Sequence, residues 1–304
     1  MNLFKDFGLS HQLLTAIKNL KLTKPTDIQE ASIPDIIKGK DVIGESATGS
    51  GKTLAFGCGI VEQVIPKKGL QALVLTPTRE LAEQVKESLK KLSYQKHLNV
   101  ITVYGGVSIN NQMCDLPKAD VVVATPGRLL DHLSRKTINL SKIKLLVLDE
   151  ADRMLDMGFI EDVEQIIKEC SKKRQTLFFS ATISSSIKSL ANKYMIEPKK
   201  VSAIKHVDPS KLKQIYYDMP RNLKLSLLVH LLKKEKSGLV MVFCNTRRNT
   251  DFVVKNLKAN RINAIAIHGG LSQNRRTKTM ELFNNTKKEV LVCTDVAARG
   301  LHID

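Results

Sequence analysis

Short, near-continuous runs of apolar, largely β-branched residues alternate along the chain with longer stretches in which apolar residues recur every third or fourth position. The runs are DVIGE (41–45), LQALVLTP (70–77), NVITVYG (99–105), ADVVVATP (119–126), IKLLVLDE (143–150), TLFFSAT (176–182) and KKVSA (199–203). They read as near-continuous apolar strands rather than alternating ones, the pattern of parallel strands covered on both faces. Helical periodicity fills the gaps, over Glu80–Leu92, Phe159–Ser171 and Ser184–Met195. Strand, helix and strand in this order predict a doubly wound α/β domain. The polar stretch IKHVDPSKLK (204–213) reads as a linker. Beyond it the pattern restarts with IYYDMP (215–220), a helix over Arg221–Lys234, LVMVFC (239–244), a helix over Arg247–Ala259, INAIAIH (262–268), a helix over Gln273–Phe283 and EVLVCT (289–294). The expected division is a domain over 1–204, a linker over 205–213 and an incomplete second α/β domain over 214–304, with the EVLVCT strand left at an open edge.

Composition narrows the function classes. A chain of 304 residues with 42% hydrophobic and 26% charged residues buries real cores and is not a disordered chain. The longest run free of polar residues, Leu54–Val61, contains two glycines and is too short for a bilayer. The start, MNLFKDFGLS, has no basic segment leading into an apolar one, so a cytoplasmic protein without a membrane partner is expected. The five cysteines are scattered without a CxxC pair, which speaks against a disulfide framework or a zinc site. A net charge of +18 favours a polyanionic partner, nucleic acid first.

The sharpest chemical signal is ESATGSGKT (45–53), placed between a strand and a helix. Backbone N–H groups of Ser46, Ala47, Thr48, Gly49, Ser50 and Gly51, with the helix N-terminus behind them, suit a triphosphate. Lys52 suits its terminal phosphates, and the Thr53 hydroxyl suits Mg²⁺. Ser46 stands where the phosphate-loop pattern begins with glycine. The strand LLVLDEAD supplies a second element: Asp149 for the metal, through water, and Glu150 for an attacking water.

With these two elements in place, the chain resembles the DEAD-box RNA helicases, proteins of two RecA-like domains. Residues 149–152 spell DEAD. KPTDIQ (24–29) resembles the Q motif, PTRELA (77–82) motif Ia, Gly105-Gly106 the GG element, TPGR (125–128) motif Ib and SAT (180–182) motif III. VFCNT (242–246) resembles motif IV, QNRR (273–276) the QxxR element and TDVAARGLHI (294–303) motif V. Lys21-Leu22 replaces the Gly-Phe usual in the family. The resemblance implies ATP and Mg²⁺ as cofactors and Lys52, Asp149 and Glu150 as catalytic residues. Gln29 would read adenine, since an amide both donates and accepts. It also implies an upstream aromatic on the base: Phe4 by spacing, with Phe7 the rival and simple packing of either ring the alternative.

RNA is the implied partner, with Pro77, Thr78, Arg79, Gly105, Gly106, Thr125, Gly127 and Arg128 as contacts to its backbone, joined by Gln273, Arg276 and Thr294 in the second half. Such contacts position a strand without reading its bases. For Arg79 and Arg128 a structural ion pair is the competing role. Asp152, Ser180 and Thr182 would couple nucleotide state to domain closure. Gly300 would approach the γ-phosphate, and His302 would hold the ribose where the family usually has Asp. The family's arginine-rich motif VI does not follow, and a finger of that kind is worth about 10³ to 10⁵ in rate. The sequence therefore reads as a fragment. The expected function is ATP-dependent RNA unwinding or RNP remodelling, the alternative an ATP- and RNA-binding module with little turnover, and a DNA-directed helicase the third option.

Overall fold

The computed structural model describes residues 3–203, 213–234, 238–285 and 290–295. The chain divides into two compact units, Met1–His206 and Val207–Asp304.

The first unit is built on seven strands: β1 (Val42–Glu45), β2 (Ala72–Leu75), β3 (Val100–Val103), β4 (Val121–Ala124), β5 (Leu145–Asp149), β6 (Gln175–Ser180) and β7 (Lys199–Ser202). All pairings are parallel, in the order β3-β4-β2-β5-β6-β1-β7. The connecting helices are α1 (His11–Asn19), α2 (Asp27–Ile37), α3 (Lys52–Gln63), α4 (Arg79–Leu92), α5 (Ile109–Asp115), α6 (Pro126–Ser134), α7 (Ala151–Asp156), α8 (Ile160–Glu169) and α9 (Ser185–Tyr194). The near-continuous apolar runs now have a cause. In β5, Leu145 and Val147 join one core with Phe4, Ile28, Phe56 and Val85, while Leu146 and Leu148 join the other with Met154, Val163 and Ile167. Alternate side chains of a strand point to opposite faces, so a sheet covered twice needs apolar residues at every position.

Local signals set the helix starts. Thr78 and Ser184 cap α4 and α9, each hydroxyl accepting the backbone N–H three residues on. Pro126 opens α6 where no helical N–H is needed. The strand order places β5, β6 and β1 side by side, so the loops leaving their C-terminal ends converge at one rim of the sheet.

The second unit carries β8 (Val240–Cys244), β9 (Ala264–Ile267) and β10 (Val290–Thr294), parallel and ordered β8-β10-β9, with α10 (Lys224–Lys234), α11 (Arg247–Ala259) and α12 (Gln273–Asn284). Two expectations are corrected here. EVLVCT is no edge: β10 pairs on both sides, which explains its fully buried Leu291, Val292 and Cys293. IYYDMP forms no strand among the described residues. Apolar character alone does not make a strand without a ladder to join, and Tyr216 is 90% exposed. The helix expected from Arg221 opens as a 3₁₀ turn, Arg221–Leu223, and becomes α-helical at Lys224. Most of the expected linker falls in 204–212, outside the described residues.

Candidate functional site

At the rim where β1 ends, the loop of residues 46–51 leads into α3. Its first N–H, from Ser46, donates to the Ser180 carbonyl at 2.9 Å and so prolongs the β1–β6 ladder by one step. Gly51 caps α3 in the left-handed region, at φ 92°. A Cβ there would collide with the Gln29 side chain, so both conformation and space demand glycine. Ala47, Thr48 and Gly49 form the exposed crown of the loop, and Thr53 is half-buried in the first turn of α3. Ser46, in the place of the pattern's first glycine, is fully buried and accepts the Ser50 hydroxyl at 2.8 Å. Lys52 is 6% exposed and donates to the Ser46 carbonyl at 2.9 Å, an ammonium folded back onto its own loop.

The helix α2 leans on the same loop. The Gln29 Oε1 accepts the Thr26 N–H at 3.0 Å, and its Nε2 donates to the Gly51 carbonyl at 3.0 Å. The Thr26 hydroxyl donates to the Ser50 carbonyl at 2.7 Å. Each end of the amide keeps one further hydrogen-bonding capacity. Phe4 is different. Its ring has no exposed surface and stands edge-on to Phe7 with centroids 5.8 Å apart, within the core. Packing is thus its role in this structure, and the ring offers no free face to a base.

At the end of β5 the carboxylates are arranged by an unusual backbone. Glu150 lies at φ 52°, and its N–H donates to the Asp149 carboxylate at 3.0 Å. Burial pushes the Asp149 pKa up to about 7. The Lys52 ammonium works against that rise, and the neighbouring Glu150 adds to it. An anion held at such cost is one a cation would relieve. Among the described residues no cluster of three or more His, Cys, Asp or Glu could cage a metal alone. That sparse donor set fits Mg²⁺, which keeps its waters and leans on substrate phosphates with only one or two protein ligands. Asp149 and the Thr53 hydroxyl would hold it. Motif reading passed over Arg153, whose Nη1 donates to the Glu150 Oε2 at 2.7 Å. The signal was available in the i, i+3 spacing on α7.

The strand after the carboxylates closes the circle. The Asp152 Oδ2 accepts both the N–H and the hydroxyl of Thr182 at 3.0 Å, while the Asp152 N–H donates to the Ser180 Oγ at 3.1 Å. Ser180 in turn donates to the Thr182 carbonyl at 2.7 Å. Since the Ser180 carbonyl also receives the Ser46 N–H, the three loops share one bonded network.

A second group of loops lies after β2, β3 and β4, three neighbouring strands. Pro77 and Thr78 are buried, and Thr78 caps α4. The Arg79 guanidinium lies over the turn of Gly105 and Gly106, close enough that a Cβ on Gly106, at φ 84°, would strike it. Among the described residues no carboxylate stands within ion-pair distance of Arg79. Arg128 donates to the Val107 carbonyl at 3.1 Å and has a loose 3.7 Å pairing with Asp131, so its structural role is partly filled. Thr125 stands at the N-cap position of α6 without a side-chain capping bond, and Gly127 opens onto empty space.

The description DEAD/DEAH box helicase matches residues 26–190, and the helicase conserved C-terminal domain matches residues 223–304. The chain belongs to the DEAD/DEAH box helicase family. The ATP-dependent RNA helicase CshA of Limosilactobacillus reuteri is 45% identical over 303 residues, covering 99% of this chain and 61% of that protein. The DEAD-box ATP-dependent RNA helicase CshA of Bacillus subtilis is 43% identical over 303 residues, with 99% and 61% covered. The chain thus spans about three fifths of the length of the curated relatives it matches. Among solved structures, a DEAD box protein of Methanococcus jannaschii shares 41% identity at a TM-score of 0.64, covering 99% of this chain and 82% of that one. Dbp5 of S. cerevisiae, bound to RNA and ADP BeF3, shares 29% identity at a TM-score of 0.86, with 99% and 78% covered.

Both units are accordingly the RecA-like domains of a DEAD-box protein. In the second, Gln273 opens α12, Arg276 lies one turn on, and Thr294 ends β10 opposite Cys244. Gly300 and His302, expected at the nucleotide, lie outside the described residues.

Proposed function

We propose that the protein is an ATP-dependent RNA helicase in which RNA-stimulated hydrolysis of ATP drives local strand separation or RNP remodelling. The curated relatives are named as ATP-dependent RNA helicases, and one observation in this chain supports the reading above the rest. The phosphate loop, Asp152 of the DEAD loop and the Ser180–Thr182 turn are bonded into a single network, so a change at the nucleotide moves the DEAD loop and its neighbour together.

In this reading Lys52 exchanges the Ser46 carbonyl for the terminal phosphates, and the N–H groups of the 46–51 loop and the α3 N-terminus receive the remaining phosphate charge. Gln29 uses the free capacity at each end of its amide to bond adenine. Bound Mg²⁺, held by Thr53 and Asp149, would neutralise charge developing on the phosphates. Glu150 accepts the proton of the attacking water, and its ion pair with Arg153 sets the carboxylate's position until then. Thr78, Arg79, Gly105, Gly106, Thr125, Gly127 and Arg128 hold phosphate and sugar, so recognition is independent of base sequence. Gln273, Arg276 and Thr294 are the residues of the second unit assigned to phosphate and sugar. The site of action we infer is the cytoplasm.

The test is phosphate release by the complete protein at low salt with Mg²⁺, with and without single-stranded RNA. RNA is expected to raise the rate, and Lys52→Ala to lower it by at least about 10²-fold. An absence of RNA-dependent release overturns the proposal. Thr182→Ala is expected to keep nucleotide affinity while losing strand separation.

A further inference from the structure

Gln112, on α5, belongs to none of the motifs, yet it sits between two of the loops assigned to RNA. It is 7% exposed and spends both ends of its amide inside the protein. Its Nε2 donates to the carbonyl of Tyr104, the residue before the Gly105-Gly106 turn, at 2.9 Å. Its Oε1 accepts from Arg128 at 3.3 Å and faces the His132 Nε2 at 3.0 Å. Arg128 donates at the same time to the Val107 carbonyl, on the far side of the glycine turn. One amide thus ties the loop after β3 to the arginine that follows β4.

The orientation of that amide is itself fixed. Because the Nε2 is committed to a carbonyl, the Oε1 must face His132, and His132 must then carry its proton on Nε2. Its Nδ1 is left to accept the Thr137 hydroxyl, at 2.7 Å. His132 has no exposed surface, and burial, with the charge of Arg128 beside it, depresses its pKa below the usual value, so the ring is held neutral. Thr137, His132 and Gln112 form a chain that ends on Arg128.

We propose that Gln112 is a positioning residue for RNA binding: held in one orientation by His132 and Thr137, it fixes Arg128 and the Gly105-Gly106 turn against each other before RNA arrives. The inference rests on the proposed RNA role of Arg128 and adds a residue to it. Preorganisation of this kind is worth the order of one hydrogen bond to a charged group, so its loss should weaken binding measurably without abolishing it.

The experiment is fluorescence anisotropy of a labelled oligouridylate titrated with the full chain, for the parent, Gln112→Met, Arg128→Ala and the double variant. Gln112→Met keeps the length and apolar volume of the side chain. It is expected to bind RNA about three- to tenfold more weakly, with its thermal unfolding transition retained. In the double variant the loss should fall well short of the product of the two single losses, because both act at one contact. Binding by Gln112→Met within about 1.5-fold of the parent, or a full product in the double variant, overturns the inference while leaving the RNA reading intact. Should Arg128→Ala bind as the parent does, the RNA role of this loop falls and the inference with it. If Gln112→Met loses its cooperative transition, Thr137→Val replaces it: a weakening of about two- to threefold supports the chain of bonds, and unchanged binding refutes it.

Discussion

Gly51 shows how much one residue type can carry. Its left-handed φ and its closeness to Gln29 are separate demands, and they can be separated by experiment. Gly39 has a similar φ of 78° but nothing within 4 Å of a built Cβ. Gly39→Ala should therefore cost only the backbone term, about 1 kcal/mol, while Gly51→Ala should cost about 2 kcal/mol or more and also impair nucleotide binding. Denaturant unfolding of the two variants checks the first part, and a fluorescent nucleotide titration the second. The glycine pattern of this loop was visible in the sequence; the contact with Gln29 was not, because it joins residues brought together only by the docking of α2 against α3. Asp149 gives a second prediction at this scale. Its folded pKa of about 7 lies above the ordinary value of 3.8, so the acid favours folding while protonated, and that contribution is lost as pH rises towards 7. Without nucleotide, Asp149→Asn should be more stable than the parent above about pH 7, and the gap should close as pH falls towards 3.8. Thermal unfolding across that window, with a gap that stays constant, would contradict the assignment.

At the scale of elements, what was legible followed from burial on both faces. All seven strands of the first unit fall on the expected runs, although the edge strand β7 buries only Val201, and α11 spans the expected Arg247–Ala259. Phe4 illustrates the limit: spacing offered the ring to a base, and the core took it. IYYDMP failed as a strand because a ladder partner is a tertiary fact, and EVLVCT failed as an edge because strand order is not written in strand composition. The position of β1 in the sheet depends on one small residue. A Cβ on Gly44 would lie 2.5 Å and 2.6 Å from ring atoms of Phe179, on the neighbouring strand. Since β1 aims the phosphate loop and β6 carries Ser180, pushing these strands apart would disturb the site as well as the core. Gly44→Ala should destabilise by about 1–3 kcal/mol through overpacking. In Gly44→Ala/Phe179→Leu, the smaller ring-free side chain should restore part of the loss, measured by chemical denaturation.

For the whole molecule, the net charge of +18 raises a question the motifs do not answer: whether RNA is held by a general field or by particular contacts. Counterion release distinguishes the two. For single strands the slope of log affinity against log salt is about −0.7 for each phosphate neutralised by a protein cation. A diffuse field predicts nearly the same small change whichever cation is removed. Specific contacts predict that Arg79→Gln and Arg128→Gln each reduce the slope by about 0.7, whereas Lys193→Gln, which removes a cation already paired with Glu164 at 2.7 Å, leaves it unaltered. All three lower the net charge by one, so charge alone cannot separate them. Equal slopes in the three variants would mean that the loops after β2 and β4 do not grip phosphate, and the basic surface would then be acting only as an attractive background.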